Sequence, residues 1–346
     1  MCMVRVKAER LREIGEAIFT ALGLSEEAAS FLVDTLVEAS LTGHDSHGIQ
    51  YYTRYAERIR EGYIKVDAQP RVVKETPTTA LVDGAWAPGQ ITARKVTRLA
   101  VEKAKQHMVS AVGAYNCNHI GRIGYYTQMA SSQGVIAEMF VNVGHPIVSA
   151  HNGFGPLFGT NPFSLSVPTE GEPPFLVDYA TSMVAAGKLS FAASKGARIP
   201  THWARDAEGH ETDDPEVLGK GGWLLPFGSY KGYGLQLCCE LLGAVLTGSR
   251  TGIDPRQEPP SSNGVLMVAL NPEAFVGLQP FKEAAGALLD HVKSSPSLPG
   301  REVLVPGMPE ARVKEERLRL GVEVPEATWR AITGLCGELG VDATLK

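Results

Sequence analysis

Cysteine is scarce in this chain, with five among 346 residues, at positions 2, 117, 238, 239 and 336. An odd number, without framework spacing or a CxxC pair, excludes a disulfide scaffold and reads as reduced thiols in a cytoplasmic protein. No charge of one sign dominates: 33 Lys and Arg against 38 Asp and Glu leave a formal charge of -5, with no pull toward nucleic acid or an anionic membrane. No stretch approaches the roughly 18–20 apolar residues of a membrane span, and the opening MCMVRVKAERLREIG lacks the apolar run of a signal peptide. GxSxG, HExxH, internal repeats and low-complexity tracts are all missing. What remains, 44% hydrophobic and 21% charged residues, is the composition of an ordinary globular protein long enough for one large domain or two.

Hydrophobic spacing gives the organisation. Leu11, Ile14, Ile18 and Leu22 predict a helix over 7–22, stopped by Gly23. Ser25, with Glu26 and Glu27 in the first turn, opens a second helix that should break at Gly43. A third is expected over 50–61. From there strands (78–84, 109–115, 135–143, 163–169, 174–180, 265–270) alternate with helices (90–107, 122–133, 182–194, 233–247). Residues 197–229, rich in Pro, Gly and Asp, read as surface loop, and helices near 280–293, 309–320 and 326–339 close the chain. The class is mixed α/β: a unit built from both chain ends (1–75 and 280–346) around a central sheet domain (76–279).

Two phosphate-binding patterns fail. Gly153, Gly155 and Gly159 are spaced GxGxxxG and lead into a strand, FSLSVPT, rather than the helix whose N-terminus would hold a pyrophosphate. AAGKLS (185–190) has Ser182 where a phosphate-binding loop needs its first Gly.

Four polar clusters carry the chemistry: GHDSHG (43–48), NCNHIGRIGYY (116–126), LVDYATSMVAAGK (176–188) and SYKGYG (229–234). His47 is either a helix-end histidine or an acid/base group, since imidazole is matched to proton transfer near neutral pH, and Ser46 beside it could bond the same oxygen. His44 and His47 at i, i+3 could also begin a metal site, and hence a metal-dependent hydrolase, with Asp45, His119, His145 or His151 completing it. Asp178, in an apolar strand, needs a partner or caps a helix with Thr181 and Ser182. Lys231 between glycines is a solvated charge or a phosphate contact, and His119, with Asn116, Asn118 and Arg122, caps a helix or meets an anion.

Taken in order, GHDSHG, NxNHIGRIGYY, GTNPF (159–163), LVDYATS with GK, SYKGYG and LVPG (304–307) resemble the type-two malate/L-lactate dehydrogenases over nearly the whole chain, and within them the bacterial hydroxycarboxylate dehydrogenase branch. The resemblance implies a homodimer with a non-Rossmann nucleotide-binding domain, NAD or NADP as cofactor, and a small 2-oxo/2-hydroxy acid as substrate. It implies that His47 is the proton donor/acceptor, assisted by Ser46, that Asp178 supports the site, and that Thr160 meets substrate or nicotinamide. By the same resemblance His44, Asn118, His119, Ile120, Gly121, Arg122, residues 178–182 (Asp178, Tyr179, Ala180, Thr181, Ser182), Tyr230, Lys231 and Gly307 line the cofactor site. Many members carry an arginine four residues after the active histidine. Here that place is Tyr51, and Arg54, one turn on, is expected to clamp the substrate carboxylate.

Overall fold

The structure, a computed structural model, describes residues 3–171, 174–194, 196–254 and 262–344. Strand β1 (Met3–Val6) leads into α1 (Ala8–Ala21) and α2 (Glu26–Leu41), and the side chain of Ser25 accepts the Ala28 N–H as an N-cap. A 3-10 turn, Asp45–His47, precedes α3 (Tyr51–Arg60). Then come β2 (Arg71–Glu75), β3 (Thr79–Asp83), α4 (Gly89–His107), β4 (Val109–Cys117), α5 (Gly124–Ser131) and β5 (Ile136–Val143). Strands β6 (Phe163–Val167) and β7 (Phe175–Tyr179), helix α6 (Ala186–Ser194), and the short pair β8 (Ala204–Arg205) and β9 (Trp223–Leu224) follow. Helix α7 (Tyr230–Cys238) continues as a π-helical stretch, Cys239–Val245, and the next strand described is β10 (Asn263–Leu270). The chain closes with α8 (Leu278–Lys293), α9 (Met308–Leu320), β11 (Val322–Pro325) and α10 (Glu326–Leu339).

Seven strands form one sheet in the order β2-β3-β4-β10-β5-β6-β7; only β3 and β4 run parallel, all other neighbours being antiparallel. Strand β10, apolar throughout from Val265 to Leu270, sits at the centre between β4 and β5. Helices α4 and α5 pack on this sheet, and their small residues, Ala93, Ala100, Ala104 and Ala130, are wholly buried against it. A second core joins both chain ends: Leu11, Ile14, Ile18, Leu32 and Leu36 pack with Val322, Val324 and Ile332.

Three expectations need correction. Residues 197–229 are not all surface: Ile199, Ala204, Val217 and Leu224 are buried in a small third core with Val148 and Leu189. Helix α6 begins at Ala186, not at 182, because Ser182 bridges to Pro226 and its hydroxyl donates to the Val184 carbonyl (2.8 Å), a local alternative to helix. The long apolar helix starts at Tyr230, three residues earlier than expected. Strands β1, β2 and β11 were not foreseen. Cys2 lies outside the described residues; Cys117, Cys238, Cys239 and Cys336 are free thiols. Among the described residues no helix is long and apolar enough to cross a membrane.

Candidate active site

The HDSH run is placed by what precedes it. Helix α2 ends at Leu41, Gly43 turns the chain through the left-handed region (φ +82°), and the Ile49 N–H is caught by the buried Ser40 hydroxyl at 3.0 Å. This delivers Ser46 and His47 to one wall of a cavity of about 550 Å³. Tyr51 and Arg54 on α3 add to that wall; His119, Ile120 and Gly121 from the turn after β4, and Thr160 from the turn before β6, form others.

Ser46 Oγ lies 3.1 Å from His47 Nδ1, fixing the ring and leaving Nε2 for a ligand. The ring is partly exposed, into the cavity it lines. Burial pushes its pKa down from 6.5 to about 4, opposed in part by the Asp178 carboxylate, while the charges of His44, Arg122 and Arg54 push the same way as burial. His119 faces it with ring centroids 5.6 Å apart, and burial holds this imidazole well below the ordinary histidine range too. Tyr51 stacks on His119 (4.8 Å, 9° between planes), and the Arg54 guanidinium stands 5.5 Å over the Tyr51 ring. At the place of Tyr51, therefore, the chain offers an aromatic wall, with the nearest cation one turn further along.

Asp178, at the end of β7, does have the partner its setting demands: Arg122 Nε at 3.2 Å, both side chains nearly buried, and the Gly124 N–H at 2.9 Å. A Cβ on Gly124 would stand 2.5 Å from that carboxylate oxygen, so only glycine permits the approach. Among the described residues Asp178 makes no hydrogen bond to His47; it reaches the imidazole through its charge. Among the described residues none of the three guanidinium nitrogens of Arg122 has a hydrogen-bond partner, Nε meeting Asp178 as an ion pair only, and Oε2 of Glu310 has none either; the other oxygen of Glu310 lies 3.7 Å from His44 Nε2. A buried cation with unpaired donors fits an anionic or polar ligand. His44, Glu310, Arg122 and Asp178 thus make a second polar cluster beside the cavity.

The remaining expected residues divide. Asn118 lies within hydrogen-bond distance of the Tyr63, Trp86 and Ala87 carbonyls and staples its own turn. Thr181 Oγ1 donates to the Asn161 carbonyl at 2.9 Å, and its N–H to the Thr160 carbonyl, so Thr181 holds the GTNP turn in place, while Ser182 bonds the Val184 carbonyl. Gly307 caps α9 in the left-handed region, packed on the β7 backbone. Tyr179 and Ala180 follow at the end of β7. Tyr230 and Lys231 stand exposed at the start of α7, away from the cavity lining, with the Tyr230 ring 6.4 Å from His151. Of the residues considered for a metal, His145 lines the cavity with His47 and His119, while Asp45 pairs with Arg317 (2.6 Å) and His151 sits by Ser229 (3.4 Å). Among the described residues no group of three or more His, Cys, Asp or Glu side chains converges to hold a metal ion.

Residues that sequence reasoning missed are those under the floor. Asn263 Oδ1 accepts the Ile120 N–H (3.0 Å), and Asn161 Oδ1 the Val143 N–H (2.9 Å). Glu240, buried in the π-helical stretch, accepts from Asn142 (3.2 Å) and Asn161 (3.0 Å). A lone carboxylate within CCELLGAV was a visible signal. Tyr55, bonded to His119, and Gln90, bonded to Tyr55, gave none.

Two imidazoles, a hydroxyl and a cation line one cavity on the mixed sheet. Comparison with known proteins gives the family. The pattern of the malate/L-lactate dehydrogenase family matches residues 6–333. Hydroxycarboxylate dehydrogenase B of Escherichia coli K12 is 35% identical over 97% of this chain and 95% of its own length. Malate/(S)-sulfolactate dehydrogenase of Methanothermus fervidus is 36% identical over 98% and 99%. The crystal structure of malate dehydrogenase from Entamoeba histolytica superposes with a TM-score of 0.94 at 28% identity, covering 99% of each chain. The chain belongs to the malate/L-lactate dehydrogenase family and is a 2-hydroxyacid dehydrogenase, which implies a nicotinamide cofactor.

Proposed function

We propose that the protein catalyses reversible, NAD- or NADP-dependent hydride transfer between a small 2-oxo acid and its 2-hydroxy acid, with His47 exchanging the proton at the substrate oxygen. The observation that carries this reading is the cavity in which His47 and His119 face each other 5.6 Å apart with Arg54 on the same wall. A bound nicotinamide supplies or takes the hydride. His47 gives its proton to the carbonyl oxygen in reduction and, neutral, takes the hydroxyl proton in oxidation; Ser46 holds its ring. Thr160 and Arg54 orient the substrate, Arg54 through its carboxylate. The cofactor is assigned to the side of the cavity where Arg122, Asp178 and His44 cluster, with Tyr230 and Lys231 at its outer edge. The division into 1–75 with 280–346 and 76–279 is proposed from the two main cores, one drawing on residues 6–64 and 322–336, the other on 80–269. A homodimer is proposed from the exposed Leu241, Val245 and Leu246, an apolar face of a kind that a soluble chain rarely leaves uncovered.

The test is a panel of 2-oxo acids with NADH and NADPH. Oxidation of at least one cofactor by at least one acid is expected, and no turnover with any pair sinks the reading. The favoured nucleotide should also raise the melting temperature, because it binds the native state alone. If neither does so at saturation, the cofactor assignment is wrong.

Arg54→Leu is expected to raise KM for the oxo acid about tenfold or more, the loss of a charge-assisted partner worth roughly 1.5–3 kcal/mol. Cofactor affinity should stay near normal, since the cofactor is assigned to the Arg122 cluster and not to Arg54. An unchanged KM would move the carboxylate clamp to another cation, Arg122 first.

A further inference from the structure

We propose that Gln90 and Tyr55 form a directed relay that keeps the His119 proton on Nε2, so that this N–H donates to the substrate oxygen while His47 alone exchanges a proton with it. The proposal rests on the dehydrogenase reading above and assigns work to two residues outside the cavity lining. Gln90 Nε2 lies 2.8 Å from Tyr55 Oη, which in turn lies 2.7 Å from His119 Nδ1. An amide N–H can only donate, so the phenol oxygen is an acceptor in the first bond. A phenol has one hydrogen, and its other outlet, the His119 carbonyl, is 3.4 Å away, well beyond a good O–H···O bond. The hydrogen therefore goes to Nδ1, which must be the unprotonated nitrogen, and a neutral ring then carries its proton on Nε2. Among the described residues Nε2 has no hydrogen-bond partner, and the ring lines the cavity.

The surroundings keep this polarity fixed. Gln90 and Tyr55 are buried, so water cannot exchange with either bond, and a broken link would leave a desolvated polar atom. Tyr51 stacked on one face stops the ring from turning. Burial disfavours the imidazolium, so the ring stays a neutral donor. A fixed N–H aimed at an oxygen is worth most when that oxygen gains negative charge, as a carbonyl oxygen does during reduction. Gln90 and Tyr55 are thus positioning residues: they touch no reacting atom and act through His119.

The test reads the tautomer directly and then its consequence. Nitrogen-15 spectra of histidine-labelled full-length protein, with and without NADH, distinguish protonated from unprotonated ring nitrogens; His119 is assigned by the signal missing from His119→Gln. In the wild type at neutral pH we expect a proton on Nε2 and none on Nδ1. Gln90→Glu replaces the donor by a group that only accepts, so Tyr55 turns its hydrogen to the carboxylate and accepts from Nδ1–H instead. The tautomer should invert, and kcat for reduction should fall about 10²-fold, the scale of losing one such donor, while the dissociation constant for NADH stays within about twofold. Gln90→Met, which keeps the size but removes the donor, should give mixed tautomers and an intermediate loss; it decides the matter if Gln90→Glu does not fold. A wild-type His119 with its proton on Nδ1, as would follow if the Gln90 amide were turned the other way, overturns the proposal. So does a Gln90→Glu enzyme with unchanged tautomer and unchanged kcat. A wild-type chain with the Nε2–H tautomer that reduces no 2-oxo acid would instead break the proposed reaction and leave the relay standing.

Discussion

His47→Asn is expected to lower kcat by roughly 10²–10⁴-fold, the usual share of general acid/base catalysis, while NADH binding survives. Asparagine keeps the size and one hydrogen bond toward Ser46 but has no proton to exchange. The pH dependence of the wild type should carry the same signature. Because burial holds the free imidazole near 4, the neutral base already dominates at neutral pH, and kcat/KM for hydroxyacid oxidation should be flat there, falling only as pH drops toward that value. In reduction the protonated form is the acid. Its fraction in the free enzyme falls about tenfold per pH unit above 4, so kcat/KM for the oxo acid should decline steadily with rising pH. A bound carboxylate substrate adds negative charge near the ring, so the limb in kcat should lie higher than the limb in kcat/KM. Steady-state kinetics in both directions, beside fluorescence titration with NADH, check the whole set. Near-normal turnover by His47→Asn, with a dead His44→Asn, would show the two histidines to be assigned the wrong way round.

Much of this was legible in the sequence where a local pattern had one physical outcome. Leu11, Ile14 and Ile18 recur at helical spacing and are all buried on one face of α1; Ser25 with two acids after it could hardly do other than cap α2. The apolar run at 265–270 had to be a strand covered on both sides, and it lies at the centre of the sheet. Strands β1 and β11 left no such trace. They are four residues each and pair across more than three hundred residues of chain, so the partner that makes them strands is nowhere near them in the sequence. Strand β2 is an edge strand, RVVKE, with only Val72 half-covered, so it lacks the alternation that betrays a strand. The cavity shows the same division. GHDSHG and NHIGR stand out by composition, but that His119 would rest against Tyr55, 64 residues earlier, is a tertiary fact with no local cause. Gln90 reads in sequence as an ordinary polar residue in the first turn of a helix; only the fold buries it and gives its amide a single task.

The second large effect belongs to Asp178. Its carboxylate lies 3.2 Å from Nε of the nearly buried Arg122 guanidinium, so Asp178→Asn removes the ion-pair partner of that cation. Breaking a buried pair from one side typically costs about 3–5 kcal/mol, far more than the pair's net contribution, because the surviving charge has lost both water and partner. Asparagine can still accept the Gly124 N–H, and it fits where the carboxylate fits, so the loss measures charge rather than packing. Denaturant unfolding should register it as a fall in the midpoint without a change in slope. The same substitution should reach the chemistry. Asp178 is the group that holds the His47 pKa up against burial, and the charges of His44, Arg122 and Arg54 push it down; with the carboxylate gone, all the remaining influences favour the neutral ring. The acid limb of hydroxyacid oxidation should therefore move to lower pH. The ratio of reductive to oxidative kcat/KM at fixed pH is set by the overall equilibrium and the two nucleotide affinities, so the pH profile is the deciding measurement. If the acid limb and the unfolding midpoint both match the wild type, Asp178 neither balances Arg122 nor tunes His47, and its place in the site is wrong.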